Sequence, residues 1–164
     1  MSSPLVVVMG VSGVGKSTVG AAIAARLGVK FADADDLHPA SNVEKMAAGT
    51  PLTDADRWPW LDLVGQALAD AGDDGLVVAC SALKRSYRDA IRAAAPAVRF
   101  VHLVVPRTVL GDRVASRPGH FMPASLVDSQ LETLEPLEAD EHGIAVASEG
   151  GVDSTADRAC EALG

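Results

Sequence analysis

The feature that most constrains this chain is a glycine-rich segment near its start, residues 10–18, which reads GVSGVGKST. It fits the pattern G-x-x-x-x-G-K-[ST] and directly follows the apolar run Leu5–Met9. In this pattern the glycines let successive backbone N–H groups turn towards a triphosphate, the lysine reaches the β- and γ-phosphates, and the hydroxyl after it ligates Mg²⁺. The segment therefore predicts a buried strand, a phosphate-binding loop and a helix, in that order.

The loop makes Lys16 a predicted catalytic cation and Ser17 a predicted Mg²⁺ ligand. The helix is expected from about Gly15 to a stop at Gly28, so that its unpaired N–H groups and positive dipole end face the nucleotide. A chance match in a glycine-rich turn is the alternative, but the order of strand, loop and helix favours the nucleotide site. The predicted nucleotide-binding residues of the loop are Gly10, Ser12, Gly13, Val14, Gly15, Lys16, Ser17 and Thr18.

Composition limits the number of domains and the kind of partner. The chain has 164 residues, of which 48% are hydrophobic, and a formal net charge of −8. This length suits one domain with a full core, so we expect a single domain over residues 1–164. The negative charge argues against nucleic acid or an anionic membrane surface as the main partner. Cys80 and Cys160 match no metal-ligand spacing and are expected to be buried apolar side chains in a reducing cytoplasm.

A cluster of carboxylates follows the second predicted strand, residues 29–32, in the sequence DADD. In an open α/β sheet this position lies at the carboxyl edge, which also carries the phosphate loop and binds ligands. One of Asp33 and Asp35 could hold the water shell of Mg²⁺ while the other accepts a proton from a hydroxyl nucleophile. A solvated turn with an aspartate helix cap is the alternative. Because no strand ends in the aspartate of an ordinary Walker B motif, Asp33 is the leading candidate for the carboxylate near magnesium.

Arg57 lies beside two tryptophans and a proline, residues 58–60, in what we interpret as an unusual connector. The aromatic wall could aim the guanidinium into the cleft, where its planar fork would bind a carboxylate in bidentate fashion. Alternatively, both rings are core anchors and Arg57 pairs on the surface with Asp54 or Asp56. Chemistry alone weighs these two interpretations about evenly.

A second group of cations follows the third predicted strand, residues 76–80. On a helix, Lys84, Arg88 and Arg92 would share one face, which begins at the sheet edge. In an acidic protein, cations at that edge indicate recognition of an anion, either on the substrate or on the transferring phosphoryl group. A solvated basic face is the alternative, and it is favoured more for Arg85 and Arg92 than for Lys84 and Arg88.

A proline- and glycine-rich segment, residues 116–123, follows a fourth predicted strand at 98–105 and a helix. We interpret residues from about 113 to 135 as a mobile lid. Arg113 and Arg117 are four residues apart and could both face the phosphates, with Arg117 offsetting charge on the transferring group. His102, within the fourth strand, is expected to be a packed histidine.

A fifth predicted strand, residues 144–147, and a closing helix, residues 156–163, complete the pattern. Five strands that alternate with helices predict an α/β fold: a three-layer α/β/α domain with a five-stranded, mainly parallel sheet.

Several segments, taken in order, resemble bacterial gluconokinases over nearly the whole chain. They are the phosphate loop, DADDLHP at 33–39, GTPL at 49–52, PWL at 59–61, CSALK at 80–84 and GHFMP at 119–123. The resemblance implies a P-loop kinase fold similar to those of shikimate and nucleoside monophosphate kinases. It also implies phosphorylation of the 6-hydroxyl of D-gluconate with ATP and Mg²⁺, usually by a homodimer. Ala34 and Asp36 depart from the family pattern, which often has glycine and then an apolar or aromatic residue.

The resemblance also implies roles for individual residues. Asp35 matches the second aspartate of the shikimate-kinase pattern and is the expected base or hydroxyl-orienting group, while Asp33 is the expected outer-shell partner of Mg²⁺. The predicted substrate-binding residues are Asp35, His38, Arg57, Lys84, Arg88 and His120.

Two functions other than gluconate phosphorylation stay open. One is a kinase of the same fold for another small hydroxy acid or nucleotide, and the other is a non-catalytic regulatory nucleotide-binding module.

Overall fold

The structure, a computed structural model, describes residues 3–11, 14–50, 52–105 and 130–163. Its strands are β1 (Leu5–Met9), β2 (Lys30–Asp33), β3 (Leu76–Ala79), β4 (Arg99–Val104) and β5 (Gly143–Ala147). Its helices are α1 (Lys16–Leu27), α2 (Ala40–Ala47), α3 (Asp54–Ala71), α4 (Arg85–Ala94) and α5 (Val152–Leu163). Short 3₁₀ turns lie at Ala34–Leu37, Gly72–Asp74 and Ala139–Glu141.

The five strands form one parallel sheet in the order β2-β3-β1-β4-β5. All residues of the central strand β1 are buried, because its run of branched apolar side chains is covered by helices on both faces. One core layer packs α1 and α5 against the sheet, through residues such as Ile23 and Ala156. The other packs α3 and α4, through residues such as Leu61 and Ile91. The predicted three-layer α/β/α fold is confirmed.

Helix α3 begins earlier than the sequence interpretation had it. Residues 58–60 were predicted to be a connector, yet they lie in the second turn of a helix that starts at Asp54. The reason is a capping box: Thr53 Oγ1 accepts a hydrogen bond from Asp56 N, and the Asp56 carboxylate accepts one from Thr53 N. Pro59 lies inside the helix, where its ring removes the hydrogen bond that a residue at this position would donate to the carbonyl of Ala55, and the helix continues through it.

The sharp turn at the end of β1 requires glycine at position 10. Gly10 has a φ of +148°, and a Cβ placed there would lie 2.9 Å from the carbonyl oxygen of Leu103. The carboxyl ends of β1, β2 and β3 lie at one edge of the parallel sheet, where Gly10 turns the chain close to Leu103 of β4.

The remaining structural predictions about single residues have mixed outcomes. Cys80 and His102 are buried, as predicted, whereas Cys160 is only partly buried.

None of the helices in the described ranges combines the length and the apolar character that a bilayer crossing needs.

Candidate functional site

The phosphate loop leads directly into α1 at the carboxyl edge of the sheet. Gly15 takes the left-handed conformation, with a φ of +89°, and α1 begins at Lys16. The Lys16 ammonium donates a hydrogen bond to the carbonyl oxygen of Val11, 3.1 Å away, so it folds back over the loop. Ser12 and Gly13 lie outside the described residues. The described part of the loop therefore has the strand, turn and helix arrangement that phosphate binding requires.

Ser17 and Asp33 meet where β2 ends. The Ser17 hydroxyl donates to Asp33 Oδ2 at 2.5 Å, while Asp33 Oδ1 accepts a hydrogen bond from the backbone N–H of Asp35 at 3.0 Å. These hard oxygen donors fit Mg²⁺, which is usually held by one or two carboxylates together with water and substrate phosphates. The described residues contain no cluster of three or more His, Cys, Asp or Glu side chains that could hold a metal by themselves. The donor set thus suits an ion that arrives with a nucleotide.

Asp35 lies one residue into the 3₁₀ turn that follows β2. Burial raises the pKa of Asp35, the negative charge of Asp33 raises it further, and the positive charge of Lys16 opposes both effects. These interactions place Asp35 within electrostatic reach of the phosphate-loop lysine. The structure therefore brings Lys16, Ser17, Asp33 and Asp35 together at the carboxyl edge of the sheet.

His38 directly follows the 3₁₀ turn that carries Asp35, and its ring is held in place by its neighbours. Its ring stacks on Trp60 with centroids 4.2 Å apart and an interplanar angle of 13°. Trp60 in turn donates its indole N–H to the carbonyl oxygen of Ala34 at 2.7 Å. Asn42 Nδ2 lies 3.2 Å from His38 Nδ1. Burial lowers the pKa of His38, which favours the neutral imidazole.

Four residues form what we call the open cation group: Arg57, Lys84, Asp54 and Tyr87. The Tyr87 hydroxyl donates to Asp54 at 2.5 Å, and the Lys84 ammonium lies 3.3 Å from the same carboxylate. Arg57 lies 3.6 Å from Asp54 and donates to the carbonyl oxygen of Leu52 at 3.0 Å. The exposed fractions of the Arg57, Lys84 and Asp54 side chains are 31%, 33% and 46%.

Arg57 and Tyr87 also line a cavity of about 530 Å³. Each interpretation of Arg57 holds only in part: the guanidinium pairs with Asp54 and also borders a cavity, and Trp60 is buried whereas Trp58 is 37% exposed. Ser81 and Leu83, which follow β3, line the same cavity, together with Gln130 and Thr133.

The charges of the open cation group stabilise one another. The hydrogen bond from Tyr87, followed by that from Lys84, lowers the pKa of Asp54. The hydrogen bond to Asp54 raises the pKa of Lys84, and burial followed by the same carboxylate raises the pKa of Tyr87. Near neutral pH the group therefore carries two cations, one carboxylate and a neutral phenol, which leaves a net positive charge.

Arg88 does not contact the cleft, so its predicted role in substrate binding is wrong. Its side chain is 0% exposed, and it donates to Glu141 Oε1 and Oε2 at 2.7 and 3.0 Å and to the carbonyl oxygen of Ala82 at 2.9 Å. Arg92 joins Glu141 Oε1 at 2.9 Å. We call Arg88, Arg92 and Glu141 the buried cation group. Despite the cost of burial, hydrogen bonds from Arg88, Glu138 N and Arg92 lower the pKa of Glu141 to about 2.

The remaining cations of this segment also differ from the expected helical face. Lys84 precedes α4 as its N-cap residue and is separated from the face that carries Arg88. Arg85 pairs with Asp140 and Glu138 at 2.8 and 2.7 Å and remains partly exposed, but Arg92 is 17% exposed and not a solvated cation. Arg113, Arg117 and His120 lie outside the described residues.

Sequence reasoning missed the contributions of Asn42, Tyr87 and Glu141. Tyr87 carried one local signal, its position three residues after Lys84. Asn42 carried one local signal, its position four residues after His38. Glu141 carried none, because its partner Arg88 is 53 positions away.

Comparisons with known proteins agree with this geometry. A family model described as an AAA domain matches residues 5–137. The gluconokinase of Gluconobacter oxydans (strain 621H) is 52% identical over 145 residues, covering 87% of this chain and 82% of that protein. The crystal structure of a gluconokinase from Sinorhizobium meliloti 1021 is 48% identical with a TM-score of 0.89, covering 98% of this chain and 91% of that one. Shikimate kinase from Acinetobacter baumannii, at 16% identity, a TM-score of 0.62 and coverage of 98% and 92%, shares the fold.

Proposed function

Because this chain belongs to the gluconokinase family and is a kinase, we propose that it transfers the γ-phosphoryl group of ATP to the 6-hydroxyl of D-gluconate. One observation carries the proposal. A phosphate loop with two neighbouring aspartates lies at the same sheet edge as Arg57 and Lys84, whose group has a net positive charge. A substrate with a primary hydroxyl at one end and a carboxylate at the other matches these two ends.

At the donor end, Lys16 and the N–H groups at the start of α1 bind and orient the phosphates of ATP. Ser17 and Asp33 would hold Mg²⁺, which supplies neutralisation of charge on the phosphate oxygens. Catalysis of phosphoryl transfer consists mainly of positioning and charge stabilisation, so the protein needs no covalent intermediate.

At the acceptor end, Asp35 accepts a hydrogen bond from the 6-hydroxyl and takes its proton as the reaction proceeds. The oxygen of the 6-hydroxyl forms a bond to the γ-phosphorus, while the bond between the γ-phosphorus and the oxygen that bridges the β- and γ-phosphates breaks. The products are 6-phospho-D-gluconate and ADP. Arg117 stays a sequence-based candidate for a further cation on the transferring group, with Arg113 as a further contact to ATP.

At the far end, Arg57 and Lys84 bind the carboxylate of gluconate. Both cations already face Asp54, but at 3.6 and 3.3 Å and with substantial exposure, so each retains room for a second anionic partner. Tyr87 keeps Asp54 in place and thereby fixes the position of both cations.

A substrate panel tests this proposal directly. ADP formation is measured by a coupled assay with gluconate, shikimate and a nucleoside monophosphate as acceptors, and the phosphorylated carbon is identified by ³¹P and ¹³C NMR. We expect turnover with gluconate and a phosphate ester on carbon 6. Turnover only with shikimate or the nucleotide, or tight ATP binding without transfer to any acceptor, would contradict the proposal. The homodimer implied by the family resemblance and the cytoplasmic location expected from the cysteines stay predictions.

A further inference from the structure

The hydrogen bonds of Asn42 determine more than its own position. Asn42 is 2% exposed in α2, and its Nδ2 donates to the backbone carbonyl oxygen of Asp56 at 2.9 Å while lying 3.2 Å from His38 Nδ1. A backbone carbonyl oxygen only accepts hydrogen bonds, so the Asn42 atom next to it must be the amide nitrogen. The orientation of the amide is therefore fixed by the main chain of α3.

The fixed orientation of the Asn42 amide determines which nitrogen of the His38 ring carries the proton. The second N–H of Asn42 points at His38 Nδ1, which must accept it and so cannot carry a proton. A neutral imidazole with an accepting Nδ1 carries its proton on Nε2. Stacking on Trp60 holds the plane of the ring, so the direction of the Nε2–H bond is fixed as well.

The charges around His38 come from two elements. Asp35, on the 3₁₀ turn after β2, favours a positive ring, whereas Arg57 on α3 disfavours it, and burial disfavours it more than either charge. Protonation would also set an Nδ1–H against the N–H of Asn42, which places two donors face to face. None of the described residues accepts a hydrogen bond from His38 Nε2. The ring is thus a neutral donor whose N–H is available to a ligand.

We propose that Asn42 is a positioning residue that holds His38 as a neutral Nε2–H donor for a hydroxyl group of the polyol chain of the substrate. The inference rests on the proposed function, because it assigns His38 to the substrate lying between Asp35 and the open cation group. A neutral donor suits a hydroxyl group, which can accept this hydrogen bond and at the same time donate a hydrogen bond to a neighbouring acceptor. Asn42 acts only through His38 and contacts no reacting atom.

The tautomer is tested on the intact wild-type protein labelled with ¹⁵N-histidine. Two-bond ¹H–¹⁵N correlations distinguish a protonated from an unprotonated ring nitrogen, and the His38→Gln variant identifies the His38 signals among the four histidines. We expect an unprotonated Nδ1 and a protonated Nε2 at pH 8, with a second protonation that occurs at lower pH than for an ordinary histidine. A proton on Nδ1, or titration with an ordinary histidine pKa, would overturn the proposal.

Two substitutions of His38 test the role of the donor. The amide nitrogen of glutamine reaches the position of Nε2, whereas that of asparagine does not. We expect His38→Asn to lower kcat/KM for gluconate at least about tenfold and His38→Gln to lower it less, because glutamine keeps the donor but loses the contact with Asn42, with KM for ATP unchanged in both. Equal activity of His38→Asn and wild type would overturn the proposal while leaving the proposed function intact.

Asn42→Asp reverses the hydrogen-bond partner of Nδ1. A carboxylate only accepts, so Nδ1 becomes protonated, and kcat/KM for gluconate should acquire a titration between about pH 6 and 8 that wild type lacks. Ser41→Asp adds the same charge at an exposed neighbouring position and should show no such titration. Identical profiles for a folded Asn42→Asp and its control would overturn the proposal. Absence of gluconate-dependent ADP formation by wild type would overturn the proposed function and the assignment of a substrate hydroxyl to His38.

Discussion

The open and the buried cation groups contain the same kinds of charge, come from neighbouring parts of the chain and yet serve different purposes. In the buried group, both oxygens of Glu141 are bound by Arg88 at 2.7 and 3.0 Å, and both side chains are fully excluded from solvent. In the open group, Lys84 and Arg57 share Asp54 at 3.3 and 3.6 Å, and all three side chains reach the surface of the cleft.

The difference in exposure and pairing between the two groups indicates which cations can bind a substrate anion. A buried guanidinium that already donates its N–H groups to one buried carboxylate has no N–H group available for another anion. Breaking such a buried ion pair also costs a large free energy. An exposed cation that shares a carboxylate in a looser geometry can bind a second anion at little cost. Net charge and helical spacing alone do not separate these two cases.

The buried group still contributes to the site through the main chain. Arg88 donates to the carbonyl oxygens of Ala82 and Leu83, which directly precede Lys84. Ala82 has a φ of +43°, an uncommon conformation for a residue with a side chain, and the Arg88 hydrogen bonds help to hold it. The buried group thereby supports the segment that carries one of the exposed cations.

The largest expected effect on stability comes from removing the carboxylate of the buried cation group. Glu141→Gln removes the carboxylate that pairs with the fully buried guanidinium of Arg88, whereas Arg92 keeps its ion pair with Asp89. We expect a loss of about 3–5 kcal/mol in the free energy of unfolding, measured by urea denaturation at neutral pH. Glu138→Gln, which removes a carboxylate paired with Arg85 at the surface, should cost less than about 1 kcal/mol. Equal losses in the two variants would contradict the contrast between buried and exposed pairs.

The same contrast predicts a dependence on pH. The pKa of Glu141 is lowered to about 2 from an ordinary value of 4.5, so its contribution to stability is complete above the ordinary value and is lost as the pH falls towards 2. The difference in unfolding free energy between wild type and Glu141→Gln should therefore shrink steadily below about pH 4.5. A difference that stays constant from neutral pH down to the acid limit of folding would show that Glu141 is not the titrating group.

The next effect concerns the exposed guanidinium. Arg57→Ala should raise KM for gluconate about 10- to 100-fold and leave KM for ATP within about twofold, because a charge-assisted hydrogen bond to the substrate is lost. Arg85→Ala removes an equal charge from the surface pairs with Asp140 and Glu138 and is the matched control. Steady-state kinetics with each substrate varied in turn decide the matter, and a rise in KM for ATP alone would remove Arg57 from the gluconate site.

The smallest effect is expected at Asp54. Asp54→Asn removes the negative charge that competes with the substrate carboxylate for Lys84 and Arg57, so KM for gluconate should fall by about fivefold at low ionic strength. High salt should reduce the difference between the variant and wild type. An increase in KM would mean that Asp54 acts mainly by orienting the two cations.

Much of the fold followed from local patterns, and much of the site did not. The branched run of β1 and the glycine-rich loop are local signals, and the strand has the predicted bounds. The start of α3 was missed although Thr53 and Asp56 carry a recognisable capping-box spacing, because the segment around Arg57 was interpreted as a connector. The burial of Arg88 could not be foreseen, since it depends on a glutamate brought close only by the complete fold.

The central claim, that the open cation group recognises the carboxylate of the substrate, is tested most directly by comparing gluconate with D-glucitol, which has a hydroxymethyl group instead. The measurement is the ratio of kcat/KM for the two acceptors in wild type and in Arg57→Ala. We predict that wild type prefers gluconate by about 100-fold or more and that most of this preference disappears in the variant. A variant that loses activity equally on both acceptors, with the ratio unchanged, would contradict the claim.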